Sequence, residues 1–93
     1  MKSDLSLTIL YLPKFVRLYQ RLPKEIQKLA EKKEIIFRQN PFDPRLKTHK
    51  LHGLLKGFWS FYINFEYRII FEFVDENTVR FYSVGKHDIY QQK

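Results

Sequence analysis

The sequence predicts an α+β domain in which two N-terminal helices pack on one face of a sheet dominated by antiparallel pairing. Three observations carry this. An alternating apolar segment opens the 93-residue chain, two proline-started segments of helical periodicity follow it, and strand-like segments rich in Phe, Tyr, Ile and Val fill the second half. Ninety-three residues suit one domain with a modest core, so residues 1–93 are read as a single unit.

In the first segment Leu5, Leu7, Ile9 and Tyr11 alternate with Ser6, Thr8 and Leu10, the period of a strand with one strongly apolar face. Pro13 ends it and suits the first turn of a short helix through Tyr19. After Leu22, Pro23 starts a second helix whose Ile26, Leu29, Ala30, Lys33 and Phe37 fall on one face, and the NPFDP run at 40–44 stops it. Glu25, Glu31 and Glu34 interspersed with Lys24, Lys28, Lys32 and Lys33 make a solvated outer face. Gly57 precedes a strand from Phe58 to Phe65, on which Trp59, Phe61, Ile63 and Phe65 are assigned to the core and Ser60, Tyr62 and Asn64 to the opposite face. Asn64 to Tyr67 forms a tight connection to the next strand, Arg68 to Val74, and Asp75, Glu76 and Asn77 turn the chain into a last strand from Thr78 to Val84. With the helices on one face, the other face is expected to be open to a ligand or partner.

Seventeen basic against ten acidic residues give a net charge of +7, and no acidic residue lies between Arg45 and Phe65. Such a surface attracts a polyanion or an acidic protein partner, without distinguishing the two. With no cysteine, disulfides, thiolate-held clusters and thiol catalysis are excluded. The apolar stretch LTILYLP is broken at Pro13, too early for a membrane span. The expectation is a soluble cytoplasmic protein with no membrane association.

Several side chains in this frame have functional chemistry. Arg68 opens an otherwise apolar strand, which fits a phosphate clamp and equally an edge charge reaching out of the sheet. His87 follows Gly85 and Lys86 directly after the last strand, where an imidazole could exchange a proton or simply be exposed. Tyr90 could stack on a base or close the edge of the core, and Tyr62 could project toward the same groove. His49 and His52 stand three apart around Lys50, but no cluster of carboxylates and histidines surrounds them, so contact with phosphate is preferred over a metal site. No metal and no cofactor are expected. RNA cleavage by its own 2′-hydroxyl needs little beyond this inventory: a proton acceptor, cations at phosphorus and a donor for the departing 5′-oxygen.

Taken together, FVRLYQRLPKEI at 15–26, NPFDPRLKTHKLHG at 40–53, FWSFYI at 58–63, EYRIIFEF at 66–73 and VGKHDIY at 84–90 resemble the RelE superfamily of bacterial toxins, especially its YafQ-like and YoeB-like members. The resemblance spans nearly the whole chain and implies a RelE/ParE-like single domain. Its implied activity is that of a type II toxin–antitoxin toxin, a ribosome-dependent endoribonuclease that cuts messenger RNA in the decoding site of the 70S ribosome. A cognate antitoxin would mask the basic surface.

The resemblance further implies His87 as general acid, Arg68 as phosphate stabiliser and either Glu66 or His49 as proton acceptor. Tyr67 and Tyr90 would position the nucleotide, with Lys47, Lys50, His52, Lys56 and Tyr62 in contact with RNA. Tyr62 stands where YafQ-like toxins can carry another histidine, and Trp59 and Phe61 stand where RelE itself has lysines. Two other readings share the scaffold: a ParE-like inhibitor of DNA gyrase, and a catalytically inactive homologue that still binds an antitoxin.

Overall fold

The computed structural model describes residues 6–86. Along the chain run β1 (Thr8–Tyr11), α1 (Pro13–Gln20), α2 (Lys24–Gln39), a 3-10 turn (Pro44–Leu46), β2 (His49–Lys50), a second 3-10 turn (Gly53–Leu55), β3 (Trp59–Tyr62), β4 (Tyr67–Asp75) and β5 (Thr78–Lys86). They form one five-stranded sheet in the order β1-β5-β4-β3-β2. All neighbours are antiparallel except β1, which runs parallel to β5 with Thr8 opposite Thr78. The α+β architecture with helices on one face is as the sequence predicts. Among the described residues no helix is long and apolar enough to cross a membrane.

The helix-bearing face holds the main core. Ile26, Ala30 and Phe37 of α2 are buried against Phe61, Ile69, Phe71, Val79 and Phe81 of the sheet. Phe37 is fully buried, stacking on Phe61 at 4.7 Å between ring centroids and meeting Phe71 and Phe81 edge-on at 4.9 and 5.5 Å. Four interlocked phenyl rings bind α2 to the three central strands through area and ring geometry together. At the end of α2, Asn40 extends the backbone and Asp43 caps the 3-10 turn by accepting from the Arg45 N–H at 2.9 Å.

The opposite face is only partly open, which corrects the simple picture of one covered and one bare face. Leu51 and Leu55, from the chain between β2 and β3, are buried on Ile70 with Phe58 and Tyr82 beside them. Room for this second cluster comes from a bulge in β5: Ile70 pairs with Ser83 and Phe71 with Phe81, so Tyr82 is the extra residue. Gly57 turns the chain into β3 with φ 97°, a conformation side-chain-bearing residues rarely adopt.

Phe65 also departs from expectation. Phe61 and Ile63 are fully buried and Trp59 packs partly against the core, but Phe65 is 84% exposed. β3 ends at Tyr62, and beyond it the Asn64 side chain accepts from the N–H groups of Glu66 and Tyr67, replacing extended backbone by a turn. Alternation no longer governs direction there.

Candidate functional site

Directly paired residues in adjacent strands point to the same face, and so do residues two apart along a strand. On the face away from the helices this produces two neighbouring rows. One reads His49, Ser60, Ile70, Ser83 across β2, β3, β4 and β5, and the other Tyr62, Arg68, Gly85 across β3, β4 and β5. Ile70 is capped by the second hydrophobic cluster, and the next row holds Tyr62, Arg68 and Gly85, with His49 on the neighbouring row at the β2 edge. From strand spacing and rise, the Cα atoms of His49 and Arg68 are roughly 12 Å apart.

Arg68 is not the open clamp that its position in the sequence suggests. It is 8% exposed, and its Nη1 donates to the carbonyls of Asn64 at 3.0 Å and Phe65 at 2.6 Å. The guanidinium carbon lies 3.6 Å from the centroid of the Tyr62 ring. Two carbonyls and an aromatic face thus replace the water lost on burial. Among the described residues no carboxylate pairs with Arg68, whereas Arg80 on the same face is joined to its cross-strand partner Glu72 at 2.8 Å. The positive charge of Arg68 is therefore met by carbonyls and a ring and by no carboxylate of the described residues. Its Nε and Nη2 atoms have no partner among the described residues, and since no described side-chain polar atom is both buried and unpaired, this edge reaches solvent. Gly85 is the register partner of Arg68 on β5.

The Nδ1 of His49 lies 3.0 Å from the carbonyl of Lys47. A carbonyl only accepts, so Nδ1 is the donor in this contact. Lys47 supplies this carbonyl from a left-handed conformation with φ 51°. Glu66 is exposed in the turn before β4. Tyr67 follows it, but its ring packs against the helix-side core, on the other face from Arg68. Lys50, the partner of Trp59 across β2 and β3, places its ammonium 5.7 Å from the indole centroid. With His52, Lys56 and Phe58 these two residues line a separate cleft of about 340 Å³ at the β2–β3 edge. The structure thus gathers Arg68, Tyr62 and His49 on one face, leaves Glu66 at its rim, and sets Tyr67 and the Lys50 cleft apart. His87 and Tyr90 lie outside the described residues.

No model of a known protein family matches the sequence, and no curated protein sequence matches it either. Solved structures do. A chain of the toxin–antitoxin complex RelBE2 from Mycobacterium tuberculosis superposes with a TM-score of 0.74 at 21% identity, covering 88% of this chain and 99% of that one. The YoeB dimer from Staphylococcus aureus gives 0.71 at 27% identity, with 88% and 98% covered. YafQ from E. coli gives 0.69 at 20% identity, with 88% and 94% covered. This chain has the fold of the RelE-superfamily toxins.

Within the RelE-superfamily fold, two residues of this chain carry roles that sequence reading missed. Gly85 is the register partner of Arg68 on β5, and the only trace of it in the sequence is a glycine directly after a strong strand. Phe65 is attached through its carbonyl to the guanidinium and was hidden by strand alternation carried past the end of β3. Among the described residues of this RelE-like chain no group of three or more His, Cys, Asp or Glu side chains converges.

Proposed function

We propose that this chain is the toxin of a type II toxin–antitoxin system, acting in the cytoplasm as a ribosome-dependent endoribonuclease on messenger RNA. The observation that carries the reading is the Arg68 guanidinium. It is fixed by the Asn64 and Phe65 carbonyls and the Tyr62 ring, unneutralised among the described residues, and open along one edge. A preorganised cation of this kind stabilises charge building on phosphoryl oxygens without having to reorganise.

In the reaction, the 2′-oxygen attacks the adjacent phosphorus as its proton passes to a base. The bond from phosphorus to the 5′-oxygen breaks, and that oxygen takes a proton from an acid. The products are a 2′,3′-cyclic phosphate and a 5′-hydroxyl end. The nucleophile belongs to the substrate, so no metal-bound water is required of the protein. His49, whose Nδ1 meets the Lys47 carbonyl, and Glu66, exposed at the rim, are the two candidates for the base. His87 is assigned the acid role by the family resemblance. Lys47, Lys50, His52 and Lys56 supply the positive approach to the ribosome and the message.

A cognate antitoxin is proposed as the protein partner. Structural neighbours include the YoeB-YefM complex from Staphylococcus aureus and the DinJ-YafQ complex from E. coli, at TM-scores of 0.70 and 0.71. An acidic or amphipathic segment that folds on docking would suit a chain of net charge +7.

The test is to incubate purified protein and the separate variants Arg68→Ala and His87→Ala with programmed ribosomes and map message ends beside a ribosome-free control. Cuts that require ribosomes, end in cyclic phosphate and diminish in both variants are the expected result. An intact message beside an active control toxin would overturn the reading. Failure of DNA supercoiling by gyrase while translation continues would instead assign the ParE-like activity.

A further inference from the structure

Phe65 stands where a hairpin ordinarily places a polar residue. It is the most exposed large apolar side chain among the described residues, yet its backbone is held firmly. The Ile63 N–H donates to the Tyr67 carbonyl at 2.9 Å, the Asn64 Oδ1 accepts from Glu66 and Tyr67 at 2.9 and 2.8 Å, and Arg68 Nη1 donates to the Phe65 carbonyl itself at 2.6 Å. The ring is therefore in solvent on a hydrogen-bonded backbone whose own carbonyl accepts from the guanidinium. Lys86, paired with Tyr67 across β4 and β5, lies at the same end of the sheet but on the other face from Arg68.

The neighbourhood selects what could cover this ring. An apolar protein side chain would satisfy Phe65 but leave the Arg68 edge, which no carboxylate of the described residues neutralises, without an anion. A nucleotide carries both complements, a phosphate for the guanidinium and a flat π face for the ring. Single strands are commonly held in this way, by cations along the backbone and aromatic rings under the bases.

We propose that Phe65 is a base-stacking residue, receiving a base of single-stranded RNA while a neighbouring phosphate lies on the Arg68 edge. The inference rests on reading the chain as an RNA-cleaving toxin. Phe65 touches no reacting atom in this arrangement: it is a positioning residue that sets where along the strand the phosphate falls. Every base has a π face, so the ring contributes register and affinity and leaves sequence choice to other contacts.

Cleavage on programmed ribosomes is measured for wild type, Phe65→Leu and Phe65→Trp. In parallel, quenching of 2-aminopurine is followed in a short oligoribonucleotide whose scissile 2′-hydroxyl is replaced by hydrogen, so that binding is read without cutting. Phe65→Leu keeps an apolar side chain but removes the π face. It is expected to lower kcat/KM roughly 5- to 150-fold, the range of an aromatic–base stack, and to abolish the quench, with the melting temperature unmoved. Phe65→Trp recovers most of both signals. Binding to message-free ribosomes identifies the source of the base: a defect there assigns it to ribosomal RNA, and a defect seen only with message assigns it to the substrate.

The inference is overturned if Phe65→Leu cuts and quenches like wild type, or if the substitution weakens antitoxin binding while cleavage is unchanged. If wild type fails to cut while quenching that Phe65→Leu lacks persists, the nuclease reading falls and the stacking site remains.

Discussion

Arg68 lies over Tyr62, its direct cross-strand partner, with 3.6 Å between the guanidinium carbon and the ring centroid. The ring supports one face of the cation while two hairpin carbonyls hold one of its nitrogens. Tyr62→Leu is expected to free the guanidinium and lower cleavage roughly tenfold through kcat, a change of about 1.4 kcal/mol. Tyr62→Phe, which keeps the ring, retains most activity. Single-turnover kinetics on programmed ribosomes separate the two variants.

Arg68 also stabilises the hairpin it sits in. Replacing it with alanine leaves the Asn64 and Phe65 carbonyls without their donor, at a cost of about 1–3 kcal/mol in urea unfolding. Arg68→Lys restores charge but not the planar fork that in the proposed reaction serves carbonyls and phosphate together, so cleavage is expected to stay low. Equal activity of Lys and Arg at this position would contradict the bridging role.

Exposed lysines outside the Arg68 row act through charge alone. Lys47→Ala and Lys56→Ala should each reduce the slope of log affinity against log salt by about 0.7 for single-stranded RNA if each contacts one phosphate. Their single-turnover cleavage rate at saturation should match wild type. Fluorescence anisotropy over a salt series measures the slope.

Phe37 is the centre of the ring cluster that fastens α2 to the sheet. Phe37→Ala should cost about 3–5 kcal/mol, a large share of the stability of a domain this size. Equilibrium urea unfolding reads it, and loss of activity follows loss of the folded population.

Burial pushes the Tyr11 hydroxyl up to about 12 from an ordinary 10.0, and its hydrogen bond to the Glu34 carboxylate adds to the effect. A phenol harder to ionise in the folded than in the unfolded chain contributes stability that is present below about pH 10. That contribution is lost as pH rises through about 12. Tyr11→Phe should flatten the pH dependence of stability over this window. Ultraviolet titration should show one tyrosine fewer ionising late.

The strands and helices were legible because their periodicities are local. Ile26, Ala30 and Phe37 lie on one helical face, and Phe61, Ile69, Phe71 and Phe81 alternate inward as strand residues should. The parallel pairing of β1 with β5 was not legible, since no local pattern records a partner 70 residues away. β2 shows only two paired residues and too little alternation to announce itself. At the site, sequence position singled out Arg68 but not its burial, which depends on hairpin carbonyls folded back over it. Alternation gave the face of Tyr62 correctly and failed at Phe65, where a side-chain-capped turn had already ended the strand.

The sheet order has a temporal consequence. β5 occupies the slot between β1 and β4, so β1 stays without its neighbour until the chain through Phe81 has been synthesised. Pairings of such long separation form slowly. Gly85, the register partner of Arg68, arrives with that same strand. A nascent chain emerging from a ribosome therefore carries its arginine in an unfinished sheet, and closure of the site is coupled to completion of β5.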